Sequence, residues 1–107
     1  MLNIEKRLRK NLAKGSACRE ILDTLSFEFR GFLGFLTGEN CRSMTAEELG
    51  RLAPQRHFPP GFLGDFFGRC DSIRFSGYSI EENETLAMLG NVRGFLIELG
   101  NSMRRGA

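Results

Sequence analysis

Apolar residues recur along this chain every three or four positions, and the recurrence breaks at glycine or proline. Leu2, Ile4, Leu8 and Leu12 step at helical spacing with charge between them, which predicts a helix over residues 2–14. Gly15 suits a left-handed stop, and Ser16 is placed to cap the next helix. From about 17 to 37, Cys18, Ile21, Leu22, Leu25, Phe29, Phe32, Leu33 and Leu36 form the strongest stripe in the sequence. Phe27 and Phe35 fall off it, so this helix is apolar on more than one side and is expected at the centre. Gly31 and Gly34 each cost about 1 kcal/mol of helix propensity relative to Ala. They are expected to admit a neighbouring helix at close range.

After Gly38 the pattern resumes with Thr45-Ala46-Glu47-Glu48, whose Thr and second Glu can satisfy each other's backbone N–H groups as a capping box. Pro54 keeps that helix short, and residues 55–58 read as a loop. Pro59-Pro60 opens a fourth helix with Phe62, Leu63, Phe66, Phe67, Cys70 and Ile73 on its apolar face. Gly77 ends it, and the stretch 73–78 is the one place compatible with brief extension. A second capping box, Ser79-Ile80-Glu81-Glu82, starts a last helix running to about Arg104 through Leu86, Leu89, Val92, Leu96, Leu99 and Met103. The expected fold is therefore all-α: a compact bundle of about five helices in one domain spanning 1–107, with the second helix central.

Composition adds one unusual feature. Ten Phe, one Tyr and no Trp in 107 residues place much apolar area in rings without a polar handle. So small a core is expected to leave some rings outside, and Phe27, Phe35, Phe58 and Phe95 are the candidates for a contact patch. The net charge of +2 is too small to imply a nucleic-acid partner, although residues 1–14 carry five basic residues against Glu5. Three cysteines, an odd number with no CxxC spacing, point to a reducing compartment rather than a disulfide scaffold. The start lacks a signal-peptide pattern, and no stretch approaches the roughly 20 apolar residues of a membrane span.

Catalytic chemistry finds little support. His57 stands alone in a loop, with no partner nearby for acid–base work or metal binding. Cys18 and Cys70 lie on apolar faces, whereas Cys41 falls in a loop beside Arg42, which would lower its pKa. The clusters Glu47-Glu48 and Glu81-Glu82-Glu84 stand at helix starts, where the helix dipole stabilises negative charge. The chain is accordingly read as non-enzymatic, with no catalytic residue, metal ligand or cofactor assigned. The alternative is a helix-turn-helix DNA reader built from the third and fourth helices. Its recognition helix would offer Asp65 outward and Arg69 as its only base, a poor fit to base edges.

One corner combines charge with large apolar residues. Asp71 and Arg74 are spaced to pair across a helical turn, while Ile73 and Phe75 are expected to anchor the helix end in the core and Gly77 to permit the turn. Asp71 is expected to meet Arg30 of the central helix, because each charge sits among apolar neighbours where it would be costly alone. Arg30, Asp71, Arg74, Phe75 and Gly77 thus form a predicted structural lock.

The segments Phe29-Arg30-Gly31-Phe32-Leu33, Met44-Thr45-Ala46-Glu47-Glu48-Leu49 and Cys70-Asp71-Ser72-Ile73-Arg74-Phe75-Ser76-Gly77 carry a resemblance. In order and rough spacing over about residues 18–100, they resemble the cytoplasmic helical region of Bat-type aerotolerance membrane proteins. The resemblance implies a protein-interaction or regulatory role in stress or envelope functions, on the cytoplasmic side of a membrane. It implies von Willebrand-type and MoxR-type ATPase proteins as partners, and carries no catalytic residues over. In that family the region follows a transmembrane helix, which this sequence lacks. The chain would then be either a fragment of a longer membrane-anchored protein or a free-standing relative.

Overall fold

Why these residues fold as they do is clearest in the second helix, whose stripe closes against three others. The computed structural model describes residues 1–52, Phe58, 61–76 and 80–105, the last four by backbone alone. The described residues form five helices, α1 (Leu2–Ala13), α2 (Cys18–Thr37), α3 (Ala46–Gly50), α4 (Phe62–Ser76) and α5 (Glu82–Arg105), with a 3-10 turn at Cys41–Ser43. There is no strand among the described residues. The radius of gyration, 13.7 Å, is that of a compact bundle. No helix among the described residues is long and apolar enough to cross a membrane.

α2 packs against α1, α4, α5 and the 3-10 turn, so it is the central element, while α3 packs on α4. Ile21, Leu22, Leu25, Phe29 and Leu33 are buried along it. Phe29 has no exposed surface and sits among four rings, with Phe62, Phe66, Phe67 and Phe95 at centroid distances of 5.4–6.4 Å. Phe58 adds to this cluster through Phe95 at 5.4 Å. Edge-to-face and offset pairs at such distances stabilise beyond the area they bury.

The helix ends show which local signals operate. Gly15 and Gly38 take positive φ, 96° and 75°, as left-handed stops require. Thr45 and Glu48 form the reciprocal capping box at 3.1 and 3.2 Å. Ser16 does not cap α2; the preceding turn places Ala17 at that position, without a side-chain cap. The stretch 73–76 is helical rather than extended, because α4 continues through Ser76. Arg19 donates to the Ile73 carbonyl at 2.8 Å, satisfying one of the acceptors that a helix end leaves open. The Ser79 cap, Pro54, Pro59-Pro60, His57 and Gly77 lie outside the described residues.

Gly31 and Gly34 do admit close neighbours, but not a helix. A Cβ at Gly34 would lie 2.9 Å from the Glu39 carbonyl oxygen, and one at Gly31 would collide with the Arg42 guanidinium. The segment that follows α2 folds back over both positions. The close helix crossing is elsewhere: a Cβ at Gly50 of α3 would lie 3.4 Å from the Gly64 Cα of α4.

One charge lies where apolar residues were expected. Glu5 of α1 is fully buried, paired with Arg9 at 2.6 Å, and its Oε2 has no hydrogen-bond partner among the described residues. Leu2 is 42 % exposed instead. The inward face of α1 runs through Glu5, Leu8 and Leu12, in steps of three and four.

Candidate functional site

The face of α2 turned away from its stripe carries Asp23, Ser26, Phe27 and Arg30 at offsets of three, four and seven, which places them one above another. α4 runs beside it and contributes Cys70, Asp71, Arg74 and Phe75. Between them the segment after α2 supplies Arg42, Met44 and Thr45, and the three elements enclose a cleft of about 330 Å³.

Arg30 occupies the inner wall. Its side chain is 14 % exposed; Nη1 donates to the Met44 carbonyl at 2.5 Å, and Nη2 lies 3.7 Å from the Asp71 Oδ1. Its guanidinium also stands 4.9 Å from the Phe67 ring centre. One side chain therefore links α2 to the entry of α3 and to α4. The distance to Asp71 is that of an ion pair without a hydrogen bond, so the tie to Met44 is the tighter one. Asp71 pairs with Arg30 and, among the described residues, not with Arg74.

The outer wall is built from two arginine–ring pairs. The Arg42 guanidinium lies over Phe27 at 4.0 Å from the ring centre, and its Nε donates to the Phe27 carbonyl at 3.5 Å. The Arg74 guanidinium lies 5.6 Å from the centre of Phe75. Phe27 is 54 % exposed and Phe75 is 78 % exposed. Cation–π contact keeps such rings oriented without removing them from water.

Cys70 closes the floor. Burial pushes its thiol from its ordinary 9.0 up to about 12; the Asp71 and Asp23 charges add to this, and Arg30 opposes it. At neutral pH it is a thiol and not a nucleophile. Cys41, expected in a loop beside Arg42, opens the 3-10 turn and is buried, with Sγ 3.6 Å from the Thr37 hydroxyl. Among the described residues, no group of three or more His, Cys, Asp and Glu side chains could hold a metal ion.

The structure redistributes the aromatic candidates. Phe58 and Phe95 belong to the core, 7 % and 4 % exposed, because Phe95 follows Val92 by three positions and faces Phe29 and Phe62. Phe35 is exposed on α2 but does not line the cleft. Phe75, expected to anchor α4 in the core, is outside: the inward face ends at Ile73, and Phe75 points off it. The contact candidates that share one site are Phe27 and Phe75. Arg42 and Asp23 were not singled out from the sequence. Asp23 follows from the spacing to Phe27 and Arg30, whereas Arg42 depends on the 3-10 turn folding back over Gly31. Arg69, expected as the only base of the supposed recognition helix, shares α4 with Arg74 and is held by Glu84 of α5 at 2.6 Å. Comparison with family models, curated proteins and solved structures yields no match.

Proposed function

We propose that the protein is a non-enzymatic helical interaction module that binds a protein partner through the cleft between α2 and α4. The observation that carries this reading is the placement of Phe27 and Phe75 on one cleft, each exposed and each beneath an arginine. Burying a ring stabilises by about 1.5–3 kcal/mol, and the fold leaves that gain unused at two neighbouring positions while it buries Phe29, Phe58, Phe66, Phe67 and Phe95. Single exposed apolar residues are ordinary; two that converge on a concavity form a surface suited to a partner.

The resemblance to Bat-type proteins adds the setting. The module would act at the cytoplasmic face of a membrane in a stress or aerotolerance assembly, with von Willebrand-type or MoxR-type ATPase proteins as partners. The test is binding of such purified proteins to the wild-type chain and to the double variant Phe27→Ser/Phe75→Ser. The expected outcome is binding to the wild type and loss in the variant, with the helical circular dichroism unchanged. Equal binding by both would remove the cleft as the contact surface.

A further inference from the structure

The three guanidinium groups of the cleft are not equivalent. Arg30 is committed inward, to the Met44 carbonyl and to Asp71. Arg42 and Arg74 have no ion-pair partner among the described residues. Each rests on a phenylalanine ring instead. A guanidinium held over a ring in this way still offers its two Nη groups, in a planar fork that matches a carboxylate, even though the Arg42 Nε is given to the Phe27 carbonyl. Stacking also restricts the side chain beforehand, which lowers the ordering cost of binding. Each pair thus presents a carboxylate donor beside an apolar face.

Resting on the reading of the cleft as the contact surface, we infer that its occupant is an acidic peptide segment of a partner protein. Its carboxylate side chains meet Arg42 and Arg74, and an apolar side chain between them lies against Phe27 and Phe75. Size agrees: about 330 Å³ is room for a few side chains, at the small end of ligand clefts. Charge separates this occupant from denser anions. Asp71 is offset by Arg30, but Asp23, exposed on the same wall, has no ion-pair partner among the described residues. A nucleic-acid strand or an anionic lipid surface would bring a run of negative charge against Asp23 with only two free arginines to meet it. Isolated carboxylates avoid that conflict, and Asp23 disfavours an acid at the position nearest to it.

The test is fluorescence polarisation of labelled peptides on the intact chain. The probes are a short peptide with two glutamates flanking a leucine, its glutamine counterpart, its phosphoserine counterpart, and a peptide with the glutamates alone. Vesicles of anionic phospholipid and a measurement of oligomeric state complete the set. The glutamate–leucine peptide is expected to bind best and more weakly as salt rises. Arg42→Gln and Arg74→Gln should each lose about tenfold, as for removal of a charge-assisted hydrogen bond. Asp23→Asn should gain severalfold, and all three variants should melt like the wild type.

Equal binding of the glutamine counterpart, still lost in Phe27→Ser/Phe75→Ser, would keep the cleft as the contact surface and overturn the acidic occupant. Binding insensitive to that double variant would remove both readings. No binding of any peptide would overturn the acidic occupant, as would preference for phosphoserine, capture by vesicles, or a dimer that the same arginine variants dissociate.

Discussion

Phe29 and Phe27 stand two positions apart on one helix, yet the first has none of its surface exposed and the second 54 %. Two positions turn a helix by about 200°, so the rings leave on opposite sides. Phe29 meets four other rings, whereas Phe27 meets Arg42. The two environments use the same side chain for different ends. Inside, rings supply packing that fixes the order of the helices. Outside, a ring orients a cation and keeps an apolar face open to a partner.

The largest effect that would test this division is Phe29→Ala. It should cost about 3–5 kcal/mol in chemical denaturation, enough to unfold much of a marginal domain. Phe27→Ala should stay within about 1 kcal/mol, the scale of an exposed cation–π contact. Similar costs for the two would abolish the distinction between inner and outer rings.

Charges can be sorted the same way. Glu5 is inside with Arg9 as its ion-pair partner among the described residues, so Arg9→Ala strands a buried carboxylate and should cost about 1–3 kcal/mol. Glu5→Met, which removes the charge and keeps the volume, should be neutral or stabilising. A loss for Glu5→Met as large as for Arg9→Ala would show that Glu5 is held by more than Arg9.

At the boundary, Asp71→Ala removes a pair at 3.7 Å to a half-exposed carboxylate. The expected cost is below about 1 kcal/mol, read as a fall of a few degrees in Tm. An unchanged Tm would reduce the Arg30–Asp71 pair to proximity. Arg30→Met should lower Tm further than Asp71→Ala, since it also leaves the Met44 carbonyl without its donor.

The last effect is absent at neutral pH, appears only in alkali, and concerns the cleft floor. Cys70 holds its proton more tightly folded than unfolded, with its pKa raised from 9.0 to about 12. Its contribution is therefore present below pH 9 and lost as pH rises toward 12, because the unfolded chain releases the proton first. Denaturation midpoints across this window should fall less in Cys70→Ala than in the wild type. Equal slopes would detach Cys70 from the alkaline loss.

Most of the fold was legible because the dominant stripe of α2 and the Thr45 box are local signals that packing did not override. The α1 stripe was read through Leu2, yet Met1, Glu5, Leu8 and Leu12 step four, three and four as regularly. A rule that ranks residues by hydropathy passes over a carboxylate on the inner face. Phe75 and Phe95 were misplaced for the complementary reason: each is apolar and adjacent to the stripe, and only the neighbouring helix decides which side of its edge is covered. Arg30 with Asp71 was legible because both are charges among apolar residues. Arg42 was not, since its place depends on a reversal of the chain that no periodicity encodes.

That reversal makes Gly31 a point where durability and recognition part company. An alanine there would gain about 1 kcal/mol of helix propensity. Its methyl group would meet only the end of the Arg42 side chain, which can swing aside, unlike the backbone oxygen that faces Gly34. The helix would be more robust and the cation displaced from Phe27. A position without a side chain therefore sets how well the surface works, and stabilising it would be the change most apt to blunt it.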